Sequence, residues 1–499
     1  MPVSSRVRKV RSKGRRSRLK RNPSEISVRG FSTTAAAVFG LILGLFVGVR
    51  LWRLTAYSLR ADEIFSIQAT RQGWLDLVRY VVKDIVHPPL FYVLLKLWRS
   101  IGGESEGWLR LFPVLTAVVA IWPFVLLCRE LRLKAMEINV AFVLITVNAY
   151  LIYFAQELRM YSLLLLLTVT SLWLFAKCYN ASTATTSHVV TLFVVNLLLV
   201  YTQYYGWLVV IGELLVLLIW APTKVRSFMW STAALVVCFS PWAFVVTSAA
   251  IRRGGLESNI GSFARPTARD LGELYTLFNG GLGTGWQTMS GQMLFAFPVL
   301  LWAWHICRRQ DDDNSSMTFS FLLQSSVLPI ACAFVISQIA PQSIWGTRFF
   351  VNAAVPYLIL VAVAIGRLQP AWLRKATLVL VVVWASLSAI QELNNTDKRA
   401  WEPLVYRMIQ AEPSQATSIT VCAFGSSDET IAFYLQKANE GRFQTKRIFA
   451  LNECAGDHFW IASTSTEESP QEFFDSRGYR VGEGYADGFG ALLSPVWRR

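Results

Sequence analysis

Apolar runs of about 18 residues or more recur along the whole 499-residue chain, and they constrain its fold more than any other feature. Hydrophobic residues make up 54% of the sequence and charged residues only 16%, whereas a soluble domain is about a quarter charged. Within hydrocarbon every backbone N–H and C=O must be paired inside the protein, so these runs are expected to be helices. The sequence therefore predicts an all-α polytopic membrane protein.

About eleven transmembrane helices are predicted from runs of this length. The charges support the alternation of sides, because Arg129, Arg132 and Lys134 then fall in the cytoplasm, as the positive-inside bias requires. The predicted spans are 33–51, 108–127, 136–154, 162–177, 188–204, 206–221, 228–250, 290–306, 318–338, 349–366 and 376–391.

The first outer loop contains an apolar segment, 88–98, that is too short to cross a bilayer. We predict an interfacial helix there, with the two prolines in its first turn. The segment 62–80 is amphipathic in a similar way. The fold is thus expected to include interfacial helices beside the first spans.

Three regions are predicted along the chain. Residues 1–30 form a basic tail with ten Lys or Arg between Arg6 and Arg21. This charge is compatible with binding nucleic acid or anionic lipid, but a cytoplasmic tail that orients the first helix is the simpler interpretation. We therefore predict no nucleic-acid partner. Residues 31–391 form the membrane domain, and 392–499 follow outside the membrane.

The last region changes to a mixed polar composition. Strands are predicted at 418–424, 446–451 and 458–463, and helices at 428–437 and 470–476, which is the alternation of a small α/β domain. Its two cysteines, Cys422 and Cys454, can form a disulfide if the domain is extracytoplasmic.

An acidic pair, Asp62-Glu63, follows the first span by about ten residues. A carboxylate at the membrane–water boundary can take a proton from an acceptor hydroxyl. The alternative interpretation is a helix cap, since acids in a first turn complement the helix dipole. His87, before two prolines, is either a phosphate ligand or a polar residue at headgroup depth.

Two arginines stand at the outer ends of later spans. Arg159, within the segment 156–161 (QELRMY), can hold a phosphate with its planar fork, or it can extend toward water and pair with Glu157. Arg348 has the same two interpretations. The predicted topology places one set of polar residues on a single side of the membrane: Asp62, Glu63, His87, Glu157, Arg159, Gln203 and Arg348.

The chain resembles the GT-C membrane glycosyltransferases that use polyprenyl-phosphate sugars, the group of dolichyl-phosphate-mannose protein mannosyltransferases and lipid A aminoarabinose transferases. The resemblance covers roughly residues 30–370. The residues that carry it are Asp62-Glu63, His87-Pro88-Pro89-Leu90, Leu109-Arg110-Leu111, Arg348 and the segment 156–162.

This resemblance implies that Asp62 is the catalytic base, supported by Glu63, and that Arg159, Arg348 and His87 hold the lipid phosphate. Glu157, Tyr161 and Gln203 are further candidates for binding substrate. Relatives often carry His where this chain has Gln203, which weakens any metal or proton role at that position.

The implied function is inverting transfer of a hexose or pentose from a polyprenyl-phosphate donor to a hydroxyl of a lipid, glycan or protein. The implied location is the outer face of a bacterial plasma membrane, with the N-terminus cytoplasmic. No cofactor is predicted, and a divalent cation bound by Asp62, Glu63, His87 and Glu157 stays open.

Two functions of other classes are alternatives. A transporter or lipid flippase would need ionisable groups within the spans, and Glu213 is the only clear acid in mid-span. A noncatalytic membrane protein that displays its C-terminal domain would need none of the outer charges.

Overall fold

The computed structural model describes most of the chain, in eleven stretches. The predicted basic tail, 1–30, lies outside them. The described residues are 33–84, 86–179, 185–252, 263–281, 286–308, 313–394, 401–413, 418–424, 427–464, 470–486 and 491–499.

Helices dominate the described residues up to Asn394. They are Thr33–Leu51 (α1), Ala61–Arg71 (α2), Trp74–Asp84 (α3), Leu90–Gly102 (α4), Glu106–Val119 (α5), Ile121–Glu130 (α6), Ala135–Thr146 (α7), Ala149–Gln156 (α8), Tyr161–Tyr179 (α9), Thr186–Thr202 (α10), Gly206–Trp220 (α11), Pro222–Arg252 (α12), Ala268–Phe278 (α13), Trp286–Arg308 (α14), Asp313–Ile339 (α15), Val351–Arg367 (α16) and Ala371–Asn394 (α17).

Within the described residues, eight helical segments are long and apolar enough to cross a membrane. The pair α7–α8, bent by 60°, makes a ninth, and the shorter apolar helices α10 and α11 lie at the two remaining predicted spans. Asn148 stabilises the start of α8 at this bend, because its side chain caps α8 by accepting a hydrogen bond from Leu151 N–H. The predicted polytopic α-helical architecture is therefore confirmed.

The centre of the membrane domain is α16. Every residue from Val351 to Ile365 is buried, as expected of a helix that is apolar on all sides. Its small residues, such as Ala353, Ala354 and Ala364, let α7, α9 and α15 pack closely against it. This helix begins at Val351, directly after the 3-10 turn that contains Arg348, so the core fixes the position of that turn.

The segment after the first span folds as three short helices. The amphipathic segment 62–80 is broken near Gly73 into α2 and α3. The short helix predicted at 88–98 is present as α4, but Pro89 is its N-cap, so the prediction that the prolines lie in the first turn was wrong. A missing N–H is harmless at either position.

The C-terminal region is a sheet with helices, as predicted. Its elements are Trp401–Ala411 (α18), Ile419–Phe424 (β1), Ser427–Lys437 (α19), Phe443–Ile448 (β2), His458–Thr464 (β3), Pro470–Asp475 (α20), Tyr479–Val481 (β4), Tyr485–Ala486 (β5) and Ala491–Arg498 (β6). The strand order is β2-β1-β3-β6-β4, with β5 also on β6.

Two details of this sheet depart from the sequence prediction. The second strand ends at Ile448 rather than 451, because Leu451 begins a 3-10 turn. The strands β4 to β6 were not predicted. Cys422 on β1 and Cys454 form a disulfide, with their Cα atoms 6.2 Å apart.

Candidate active site

Four separate elements bring polar side chains to one place at one end of the membrane domain. Asp62 and Glu63 lie in the first turn of α2, and His87 lies in the link from α3 to α4. Arg159 lies in the link from α8 to α9. Arg348 lies in a single 3-10 turn before α16, and Tyr150 on α8 fixes that turn by donating a hydrogen bond to the Thr347 carbonyl, 2.7 Å. 

Glu63 is buried, and its hydrogen-bonding capacity is full. Its Oε1 accepts from Arg110 Nε and from Leu158 N–H, both at 3.0 Å. Its Oε2 accepts from Arg110 Nη2 at 2.9 Å and from Arg60 N–H at 3.1 Å. A carboxylate has about four acceptor positions, so none is left for a substrate hydroxyl. Burial raises the pKa of Glu63, but the charge of Arg110 and the hydrogen bonds from Arg110, Leu158 and Arg60 together outweigh burial and hold the pKa below its usual range.

Asp62, the next residue along the same turn, is open. Its side chain is 43% exposed, and its Oδ2 accepts one hydrogen bond from Arg348 Nη1 at 2.9 Å. Partial burial raises the pKa of Asp62, but the nearby positive charges, Arg159 and Arg348 first, together with the hydrogen bond from Arg348 outweigh burial and place the pKa below its usual range. Asp62 is therefore ionised at neutral pH, which is the state that a general base needs.

Arg159 is buried behind Asp62 and contacts several of the other residues of the site. Its Nη1 donates to the Asp62 carbonyl at 2.9 Å and approaches the hydroxyls of Ser66 and Tyr92 at 3.3 Å. Its Nη2 lies 3.2 Å from Nδ1 of His87. A guanidinium only donates, so this contact requires an unprotonated ring nitrogen on His87.

Glu157 and Tyr161 border the same site. Glu157 is buried, and its Oε1 lies 3.9 Å from Arg60 Nη1. Burial raises the pKa of Glu157 to about 7, and the Glu63 charge adds to the effect. The hydroxyl of Tyr161 is buried and finds no hydrogen-bond partner among the described residues, so it can donate to a ligand.

Gln203 is placed differently from the other predicted residues. It is buried at the turn from α10 to α11, and its Oε1 accepts a hydrogen bond from the neighbouring Tyr204 N–H at 2.6 Å. Tyr205, two residues later, contacts Phe349 with its ring tilted by 41° and the ring centroids 4.9 Å apart. Gln203 therefore shares this end of the molecule, and its hydrogen bond is local.

Sequence reasoning noted Arg110 as part of a motif and gave it no role. Its guanidinium pairs with Glu63 and also donates to the carbonyls of Leu54 and Tyr57, at 3.1 and 2.9 Å. A lone arginine at the start of an apolar span was a usable signal, because a buried arginine needs a carboxylate partner.

Solved structures of other proteins are similar to this chain in fold. The sequence matches no family model and no curated protein. ArnT from Cupriavidus metallidurans, solved in the apo state and bound to undecaprenyl phosphate, is similar with a TM-score of 0.56 at 12% identity, over 93% of this chain and 98% of its own. ArnT is a lipid A aminoarabinose transferase of the GT-C class. This chain has the GT-C fold.

An oligosaccharyltransferase from Archaeoglobus fulgidus, tethered with an acceptor peptide, is also similar, with a TM-score of 0.49 at 13% identity over 82% of this chain and 63% of its own. The resemblance drawn from the sequence motifs is confirmed for the GT-C fold by the ArnT structures.

The structure bears on two alternatives that the sequence left open, a divalent cation site and a transporter. Among the described residues, no group of three or more His, Cys, Asp or Glu is spaced to hold a metal, and Glu63 is committed to Arg110. The mid-span acid of the transporter alternative, Glu213, accepts hydrogen bonds from Ser171 and Asn196 at 2.6 and 3.0 Å. That cluster joins α9, α10 and α11 and satisfies the acid locally.

Proposed function

We propose that this chain is an inverting glycosyltransferase that moves a monosaccharide from a polyprenyl-phosphate donor to an acceptor hydroxyl. The observation that carries the proposal is the ion pair of an open, ionised Asp62 with Arg348, beside Arg159, which binds the Asp62 carbonyl. A base beside fixed cations suits the attack of a hydroxyl and the departure of a phosphate. The GT-C fold shared with ArnT, which has been solved with undecaprenyl phosphate, supports the same donor class.

In the proposed reaction, Asp62 takes the proton of the acceptor hydroxyl. The acceptor oxygen forms a bond to the anomeric carbon, and the bond from that carbon to the phosphate oxygen breaks on the opposite side. The configuration at the anomeric carbon is thereby inverted. Polyprenyl phosphate leaves with the bonding electrons, and its negative charge is stabilised by Arg348 and by Arg159 with His87.

Glu63 has a positioning role in this scheme. Its four hydrogen bonds tie α2 to α5 and to the backbone N–H of Leu158, next to Arg159. The carboxylate thereby holds Asp62 and Arg159 in place without touching substrate. The sequence analysis placed Glu63 in the catalytic pair as the residue that supports Asp62, and its fully occupied acceptor positions are consistent with that role.

The polyprenyl chain is proposed to lie in an apolar groove of about 510 Å³ between α13, α14, α15 and α16. Phe334 in this groove contacts Trp345 edge-on, with ring centroids 6.1 Å apart. Trp345 precedes Arg348 by three residues. A lipid in the groove would therefore place its phosphate near the arginine.

The site is proposed to face the outside of the membrane, with the N-terminus in the cytoplasm and the C-terminal domain extracytoplasmic. The positive-inside bias supports this orientation. So does the disulfide between Cys422 and Cys454, because such bonds persist in oxidising compartments. The chain is then divided into the tail at 1–30, the membrane domain at 31–391 and the outer domain at 392–499.

The test uses the purified protein with a labelled undecaprenyl-phosphate sugar, and membranes from cells that lack this chain as acceptor. We expect transfer of label to the membranes, release of undecaprenyl phosphate, and an anomeric configuration in the product opposite to that of the donor. Absence of transfer with several sugars would contradict the proposal. Retained configuration would contradict the inverting mechanism alone.

A further inference from the structure

A second polar cavity lies on the side of α2 that faces the C-terminal domain. We call it the junction cavity, and its volume is about 900 Å³. Its walls come from the 55–59 loop, from α2 and the start of α5, and from α18 and α19. The walls therefore belong to both the membrane domain and the C-terminal domain.

The charges in the junction cavity are mixed and nearly balanced. Arg71 from α2 donates to both oxygens of Glu104, at 3.0 to 3.2 Å. Lys437 from α19 donates to Glu106 and Glu402, each at 2.8 Å. These five side chains are 20 to 42% exposed, so they still face water. Glu104 also pairs with Arg99. Three acids paired with three cations leave no excess positive charge for a phosphate, and they offer donors and acceptors to a neutral ligand.

Neutral hydroxyl groups match this lining. A hydroxyl donates to a carboxylate and accepts from an arginine, a lysine or the amide of Gln436, another lining residue. Peptides are commonly recognised by a strand edge or by apolar pockets, whereas these walls are helices and a loop. The volume lies within the range of roughly 300–1,000 Å³ for small-ligand sites and fits a few sugar residues.

The junction cavity is close to the Glu63–Arg110 pair, which lies beside Asp62. Glu106, at its wall, is one helical turn from Arg110 on α5, and Ile67, also at its wall, is one turn from Glu63 on α2. A turn advances about 5.4 Å, and Arg110 and Glu63 are directly paired. Leu59, a further wall residue, precedes Asp62 by three residues.

We propose that the junction cavity binds a neutral, hydroxyl-rich glycan portion of the acceptor. This inference rests on the proposed glycosyl transfer and adds the acceptor class to it. The C-terminal domain then selects the acceptor, while the membrane domain holds the donor. A glycan attached to a lipid and a free polysaccharide present the same chemistry to these walls.

The test fills the cavity from either side with Gln436→Trp on α19 and Thr55→Trp in the loop, both at exposed positions. The matched control is Gln410→Trp, on an exposed face of α18 that does not line the cavity. The probes are labelled undecaprenyl-phosphate sugar as donor and membranes from cells lacking the chain as acceptor.

Both cavity variants should need about tenfold more acceptor for half-maximal rate, which corresponds to losing about one hydrogen bond to a charged group. Their dissociation constant for the donor and their rate at saturating acceptor should match the wild type, as should all parameters of the control. If the two cavity variants behave like the control, the inference is overturned.

Two treatments of the acceptor membranes identify its class. Mild periodate, which cleaves vicinal diols of sugars, should abolish labelling, and exhaustive protease should leave it unchanged. Labelling that survives periodate or is removed by protease would overturn the glycan assignment. A wild-type protein that transfers no sugar at all would refute the proposed function itself, and this result is visible before any variant is compared.

Discussion

The two adjacent acids of α2 occupy opposite kinds of environment. Glu63 is buried and accepts four hydrogen bonds, whereas Asp62 is 43% exposed and contacts Arg348. Both carboxyls have a lowered pKa, so charge alone does not separate them. A reactive carboxylate therefore differs from a structural one in having free acceptor positions and a solvent-accessible side chain.

The largest expected effect concerns the closed member of the pair. Glu63→Gln leaves the Arg110 charge buried without a counter-charge, which costs about 3–5 kcal/mol of folding free energy. Thermal unfolding in detergent should show a strongly lowered midpoint. Asp62→Asn is the matched control and should unfold near the wild-type temperature, since its side chain is partly in water.

A second change sharpens the same contrast. Replacing both partners, Glu63→Leu with Arg110→Met, removes the buried charge together with its partner, so much of the lost stability should return. A double variant that is no more stable than Glu63→Gln would show that the pair is not the unit that holds α2 to α5.

Arg348 is expected to act on the donor. Arg348→Ala removes a charged hydrogen-bond donor, so donor affinity should weaken by about 1.5–3 kcal/mol, or roughly ten- to hundredfold. Isothermal titration with a polyprenyl-phosphate sugar measures this. Arg269→Ala, at an exposed arginine that pairs with Glu273 on α13, is the control and should not change the affinity.

The smallest expected effect is on pH dependence. Glu157 has a pKa raised to about 7, mainly by burial, so it is neutral below that pH and negative above it. Its charge opposes binding of an anionic phosphodiester, and donor affinity should therefore fall roughly three- to tenfold as the pH rises from 6 to 8.

Glu157→Gln should make the affinity independent of pH over this interval. A phosphodiester donor must be used, because free polyprenyl phosphate itself titrates near pH 6. An equally steep profile in the Gln variant would assign the titration to another group, such as His87.

Some features of the site were predictable from the sequence because they depend on spans and sides. Alternation of spans placed Asp62, Arg159 and Arg348 at one membrane end, and the structure pairs Asp62 with Arg348 across a sequence separation of 286. The span positions themselves follow from apolar length. The open alternative of a helix cap was also right for Glu63, which accepts from Arg60 N–H.

Other features depend on side-chain packing across long sequence separations. No local sequence pattern predicts that Glu63 pairs with Arg110, 47 positions away. Nothing local places Tyr434 of the C-terminal domain on Leu59, whose N–H donates to the tyrosine oxygen at 2.6 Å. The junction cavity arises from the same docking, so it could not be predicted from either domain's sequence pattern.

The central claim is that Asp62 takes the proton from the acceptor while Glu63 supports the fold. The most direct measurement is the single-turnover transfer rate of purified Asp62→Asn with bound donor and saturating acceptor membranes. The account predicts a rate lower by about 10²–10⁴-fold with unchanged thermal stability. A near-normal rate in this variant would contradict it.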